Sequence, residues 1–156
     1  MELLPFGDLP AYKPRNFVPA DFKVSGWDVI EPLFDQLEND LESCEGSGSL
    51  EAWLLKTSEV GAILDEDGSR RYIAMTCHTS SDEAKGAYLD FVENIEPHLK
   101  ERFFQLAKNF VSHPQRENLP KERYEILNRD WQSMVDLFRE ENVPLETEES
   151  KLGQQY

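Results

Sequence analysis

In the stretch RRYIAMTCHTSSDEAKGAYLDF, residues 70–91, a thiol and an imidazole stand side by side as Cys77 and His78. Such a pair invites nucleophilic chemistry, the ring taking the thiol proton. Adjacency in sequence works against it, because neighbours on a helix point roughly 100° apart and do not face each other. A reactive thiolate also needs an electropositive setting. This chain carries 31 Asp and Glu against 16 Lys and Arg. Cys77 is therefore expected to close a helix as a small apolar residue, with His78 in the turn that follows.

Metal chemistry fares no better. Two His one helical turn apart, with a Glu between them as base, form the zinc-binding pattern HExxH. The three His of this chain head HTSSD at His78, HLKER at His98 and HPQRE at His113, and each fails at the second and fifth positions. Distant donors such as Cys44, Cys77 and His78 could in principle share a zinc, but no spacing suggests it. There is no glycine-rich phosphate loop, no nucleophile-elbow Ser and no carboxylate dyad. No catalytic, cofactor-binding or metal-ligating residue is assigned, and no cofactor is expected in this chain.

The composition narrows the partners. A chain of 156 residues with 39% hydrophobic content suits one domain with one core. The net charge of −15 repels phosphate backbones and anionic lipid, so neither nucleic acid nor a membrane surface is expected as a partner. Val24 to Leu55 contains eight acids and no Lys or Arg. A solvated helix face explains that run more simply than a docking surface for basic peptides. Two Cys make no disulfide framework and read as free thiols of a reducing compartment. No apolar run approaches the ~20 residues of a membrane span. The first residues lack the charged-then-apolar layout of a signal peptide, so cytoplasm is the expected location.

The elements that would position these residues are helices. Residues 1–20 read as an extended arm punctuated by four prolines, with Leu3, Leu4, Phe6, Tyr12 and Phe17 as anchors along the body. In VSGWDVIEPLFDQLENDLES, Ser25 is expected to cap a helix with Asp28 three residues on, and Pro32 to tighten or bend its start. Trp27, Ile30, Leu33, Phe34, Leu37 and Leu41 form its apolar stripe. Ser49 is expected to cap the next segment, Leu50 to Cys77. Residues 60–76 of it fit two patterns. Asp67-Gly68 resembles a hairpin turn. A helix would place Trp53, Val60, Leu64 and Met75 on a similar face and pair Glu66 with Arg70 and Asp67 with Arg71, at about 1 kcal/mol for Gly68. A long helical segment follows from Thr79 or Ser80, with Ala84, Tyr88, Phe91, Ile95, Leu99, Phe103, Leu106 and Phe110 in period. Pro97 must kink it or start a second helix. The last helix, KERYEILNRDWQSMVDLFREEN, repeats the period with Tyr124, Leu127, Trp131, Met134, Val135 and Phe138. Trp53, Phe91 and Trp131 are expected to be largely buried. The fold class is all-α, with antiparallel packed helices.

RRYIAMTCHTSSDEAKGAYLDFVENIEPHLK strongly resembles the N-terminal helical region of the oligoendopeptidase F and thimet oligopeptidase group of zinc metallopeptidases. Arg71-Tyr72-Ile73, Met75-Thr76-Cys77, Ala87-Tyr88-Leu89, Phe91-Val92 and Ile95-Glu96-Pro97 carry the resemblance, and FVPADFKVSGW and LFREENVPLETEESKLGQQY fit the same order. It covers nearly the whole chain but includes no active-site motif. The resemblance implies a large, mainly helical, clamshell-like enzyme that hydrolyses oligopeptides. Its zinc would be held by HExxH and a downstream Glu in a later region, while the present region walls the substrate channel. It also favours helix over hairpin for Leu50 to Cys77.

Three domain segments are expected: the arm 1–20, a helical domain 21–142, and residues 143–156 as the truncated start of a further element, with Leu152 and Tyr156 one turn apart. The leading reading is the N-terminal part of an oligoendopeptidase, inactive alone, whose partners are the remainder of the peptidase chain and, in the whole enzyme, an oligopeptide. The alternative is a standalone acidic helical binding module without enzymatic activity. An enzyme acting through Cys77 and His78 is the weakest reading.

Overall fold

The computed structural model describes residues 14–139 and 141–153. The arm anchors Leu3, Leu4, Phe6 and Tyr12 and the terminal Tyr156 lie outside the described residues. Among the described residues six α-helices follow in order: α1 (Trp27–Glu42), α2 (Ser47–Cys77), α3 (Asp82–Asn94), α4 (Glu96–Val111), α5 (Lys121–Leu137) and α6 (Asn142–Gly153). A 3₁₀ helix, Pro114–Asn118, joins α4 to α5. No strand occurs among the described residues, so the all-α expectation holds and 60–76 is helix, not hairpin.

The helix starts differ from their expected places. Ser25 does not cap α1; Gly26 takes that position, with the Asp28 carboxylate over it where a Cβ would sit only 2.7 Å from Oδ1. Ser49 lies inside the first turn of α2, and its Oγ accepts from the Gly46 N–H at 3.2 Å. Gly46 has no side chain to return a bond, so only half a capping box exists. Ser81, rather than Thr79 or Ser80, caps α3, its Oγ accepting from Ala84 N at 3.2 Å. Asp82 and Glu83 then favour the positive end of the helix dipole. Pro97 starts a new helix, where its missing N–H costs nothing, and Ile95 alone separates α3 from α4.

Contacts fix the directions. Gly68 and Arg71 of α2 meet Phe91 and Ala87 of α3, and Phe104 and Phe110 of α4 meet Phe138 and Trp131. Both pairs of segments therefore run antiparallel. Trp27 and Phe34 of α1 meet His98 and Phe103 of α4, placing α1 and α4 side by side in the same sense.

The core gathers the stripes read from the sequence. Ile30, Phe34, Leu37 and Leu41 of α1 pack with Leu50, Trp53, Val60 and Leu64 of α2 and with Leu106 and Phe110 of α4. Trp53 is 1% exposed and donates Nε1–H to the Leu37 carbonyl at 2.7 Å, so its one polar atom is satisfied. Its ring stacks on Phe110 at 5.9 Å, and Trp131 of α5 packs edge-on against both. Phe91 is 8% exposed as expected, but Trp131 is only partly buried, because α5 packs chiefly on α4 and leaves one side open.

Residues 14–20 lie along the body. Asn16, Phe17 and Val18 donate their backbone N–H groups to the Glu59 carboxylate at 2.7–3.1 Å, and Val18 is buried. Burial of Glu59 raises its pKa, but the three N–H donors together outweigh that and leave it lowered.

Candidate functional site

Cys77 is the last residue of α2 and His78 its C-cap. The His78 N–H reaches Ala74 O at 3.0 Å, and its own carbonyl accepts from Ser81 N at 2.8 Å. Both side chains are exposed. Cys77 thus closes the helix as expected but is not packed away as an apolar residue. Cys44 sits before the other end of α2. Thirty-one helical residues span about 46 Å, which separates it widely from Cys77 and His78. Its thiol donates to Asp40 O at 3.3 Å, and burial, more than Asp40, pushes its pKa up. Cys44 is thus a poor thiolate.

The other His have structural partners. His98 stacks on Trp27 at 4.8 Å, and His113 caps the 3₁₀ helix through Nδ1, which accepts from Gln115 N at 3.2 Å. Among the described residues no three His, Cys, Asp or Glu side chains gather in a way that could hold a metal ion. A zinc with about three protein ligands and one open position therefore does not fit the side chains described.

One concave feature is a groove of about 880 Å³. One wall is α2 from Leu64 to Ile73, with Gly68 at its centre. A Cβ at Gly68 would lie 3.0 Å from two ring atoms of Phe91, so glycine is what lets α3 approach this closely. Tyr72 and Tyr88 pack edge-on at 5.5 Å along the same side. The floor is Leu99, Phe103 and Phe104 of α4. Met134, Leu137 and Phe138 close the far side, Phe138 stacked on Phe104 at 3.9 Å. Asn142, Val143 and Glu146 of α6 complete it.

Polar groups flank the apolar floor of this groove. Its Lys100 is held between Glu96 at 3.4 Å and Glu146 at 2.8 Å. Burial first, then Glu96 and Tyr72, push the Tyr88 phenol up, keeping it protonated at neutral pH. The rest of the lining is mainly aromatic and aliphatic, with Asp65, Ser69, Arg139 and Asn142 at its edges, a surface suited to apolar side chains.

Arg71 holds the α2 wall in place. It bonds Asp67 at 2.6 Å, Val24 O at 2.8 Å and Ala87 O at 3.1 Å, and lies over the Phe91 ring at 5.6 Å. The Asp67–Arg71 pair was legible from spacing, as was Glu66–Arg70 at 2.7 Å. The contacts of Arg71 to Val24 and Ala87 were not. Nor were Phe104, Phe138 and Val143 as groove residues, since they come from separate segments. The one local signal was Gly68 inside a helical period.

A family model described as the peptidase M3 N-terminal domain matches residues 17–138, and the chain belongs to that family. No curated protein and no solved structure matches it. The matched stretch spans α1 to α5, with Arg71, Gly68 and most of the groove inside it. No helix among the described residues is long and apolar enough to cross a membrane.

Proposed function

We propose that this domain is the N-terminal part of an oligoendopeptidase-type zinc peptidase that hydrolyses short peptides, and that its groove contributes a wall of the substrate channel. The family match over residues 17–138 carries this reading. Two features agree with it. The groove is lined largely by aromatic and aliphatic side chains, and its Lys100 is paired with Glu96 and Glu146. Zinc, which polarises the peptide carbonyl and activates water in such enzymes, would be held by a later region of a longer chain. That region and an oligopeptide are the partners. The two free cysteines suit a reducing cytoplasm.

Sequencing the locus beyond codon 156 tests the proposal. An in-frame continuation containing HExxH is the expected result. The longer product should cleave a bradykinin-like peptide in a chelator-sensitive way, and the 156-residue chain should not. A stop codon with no HExxH downstream would discard this reading and leave a standalone helical binding module.

A further inference from the structure

Helix α6 is seated the wrong way round for an amphipathic helix. Its docked face carries Val143, Glu146, Thr147, Ser150 and Lys151, and Val143 alone is buried. Leu145 and Leu152, seven residues apart and so on one face, point the opposite way at 67% and 47% exposure. The hydroxyls on the docked face serve α6 itself: Thr147 Oγ1 donates to Val143 O and Ser150 Oγ to Glu146 O. Among the described residues, cross-helix attachment therefore rests chiefly on Val143 and two ion pairs, Lys100–Glu146 at 2.8 Å to α4 and Lys151–Glu93 at 3.1 Å to α3. All four charged side chains keep 28–51% exposure, within reach of solvent ions.

We infer that α6 is an electrostatic strap that closes one side of the groove and is released by ionic strength. Exposed ion pairs are screened as the Debye length shrinks, whereas apolar burial is not. The rest of the domain is held by the core around Trp53 and Phe110, so salt that loosens α6 leaves α1 to α4 in place. Release would uncover the floor at Phe103 and Phe104 beside the departing Val143 and Glu146. The inference stands whether or not the groove faces a substrate channel.

Hydrogen exchange on the whole 156-residue chain tests it, at salt from about 0.02 M to 0.5 M, where screening lengths fall several-fold. Residues 142–153 should exchange about two- to thirtyfold faster at the high end, the range two exposed ion pairs allow. Fluorescence of an added hydrophobic dye should rise in step. Screening the net charge of −15 acts oppositely, tightening every helix, so loosening confined to α6 is diagnostic. Lys151→Glu should loosen α6 already at low salt, and Glu93→Lys with Lys151→Glu should restore protection. Exchange of α6 that is flat or slower at high salt, or a charge swap that fails to restore protection, overturns the strap.

Discussion

The two halves of α2 are one continuous helix held by different physics. From Leu50 to Leu64 it buries seven side chains, each apolar one worth about 1.5–3 kcal/mol, between α1, α4 and α5. From Asp65 to Cys77 it buries none. That second half persists because a helix propagates cheaply from a formed segment, and because Arg71 ties it to Val24 and α3. The packed half fixes the fold, and the polar half is left free to line a groove. A domain can build a concave surface without opening its core by running one helix out of the core.

Substitutions at the two halves should differ in size and reach. Trp53→Ala removes the ring between Leu37, Phe110 and Trp131 and should cost about 3–5 kcal/mol, lowering the urea midpoint of the whole domain. Arg71→Met should cost about 1.5–3 kcal/mol, the worth of its charged hydrogen bonds, and should speed exchange mainly in 65–77 and 82–94. Equal global losses would mean that both halves of α2 belong to one cooperative core. At Gly68, alanine would ordinarily add about 1 kcal/mol of helix propensity. Here Gly68→Ala should instead lose about 1 kcal/mol by crowding Phe91, and adding Phe91→Leu should restore the propensity gain in thermal melts. The smallest effect concerns the arm. A carboxylate whose folded pKa is lowered stabilises above its unfolded value and loses that as pH falls. Glu59 should therefore contribute at neutral pH and lose its contribution below about pH 4.3. Glu59→Gln should flatten the stability profile in that acid window, read by denaturant titrations at several pH values.

The helical stripes were legible because residues three and four apart share a face, and that rule needs no tertiary information. It placed Ile30, Phe34, Leu37, Trp53 and Phe110 in the core. It could not say how many sides a helix would have covered, so Trp131 was read as buried though α5 packs chiefly on one neighbour. Helix starts slipped by one residue at Gly26 and by three at Gly46, where Gly and Ser competed for the cap. Asp67-Gly68 mimicked a hairpin turn because the reason for that glycine is Phe91, more than twenty residues away. The groove was illegible for the same reason. Its floor and far wall meet only when α4, α5 and α6 are folded together.

The brief links between α1 and α2 (43–46), α2 and α3 (78–81) and α3 and α4 (Ile95) bear on how quickly the chain finds this arrangement. Each helix meets its sequence neighbour after closing only a small loop, so little chain entropy is lost before contacts form. Low sequence separation of contacts places helical domains in the microsecond-to-millisecond range of folding times. The α1–α4 contact, which spans 69 residues through Phe34 and Phe103, is a slow exception, as is the packing of Trp53 on Phe110 and Trp131. Stopped-flow refolding followed by tryptophan fluorescence should show Phe34→Leu slowing folding more than Tyr88→Leu in the local α2–α3 pair. The order of assembly is then set by loop length, with the core locked when α1 meets α4.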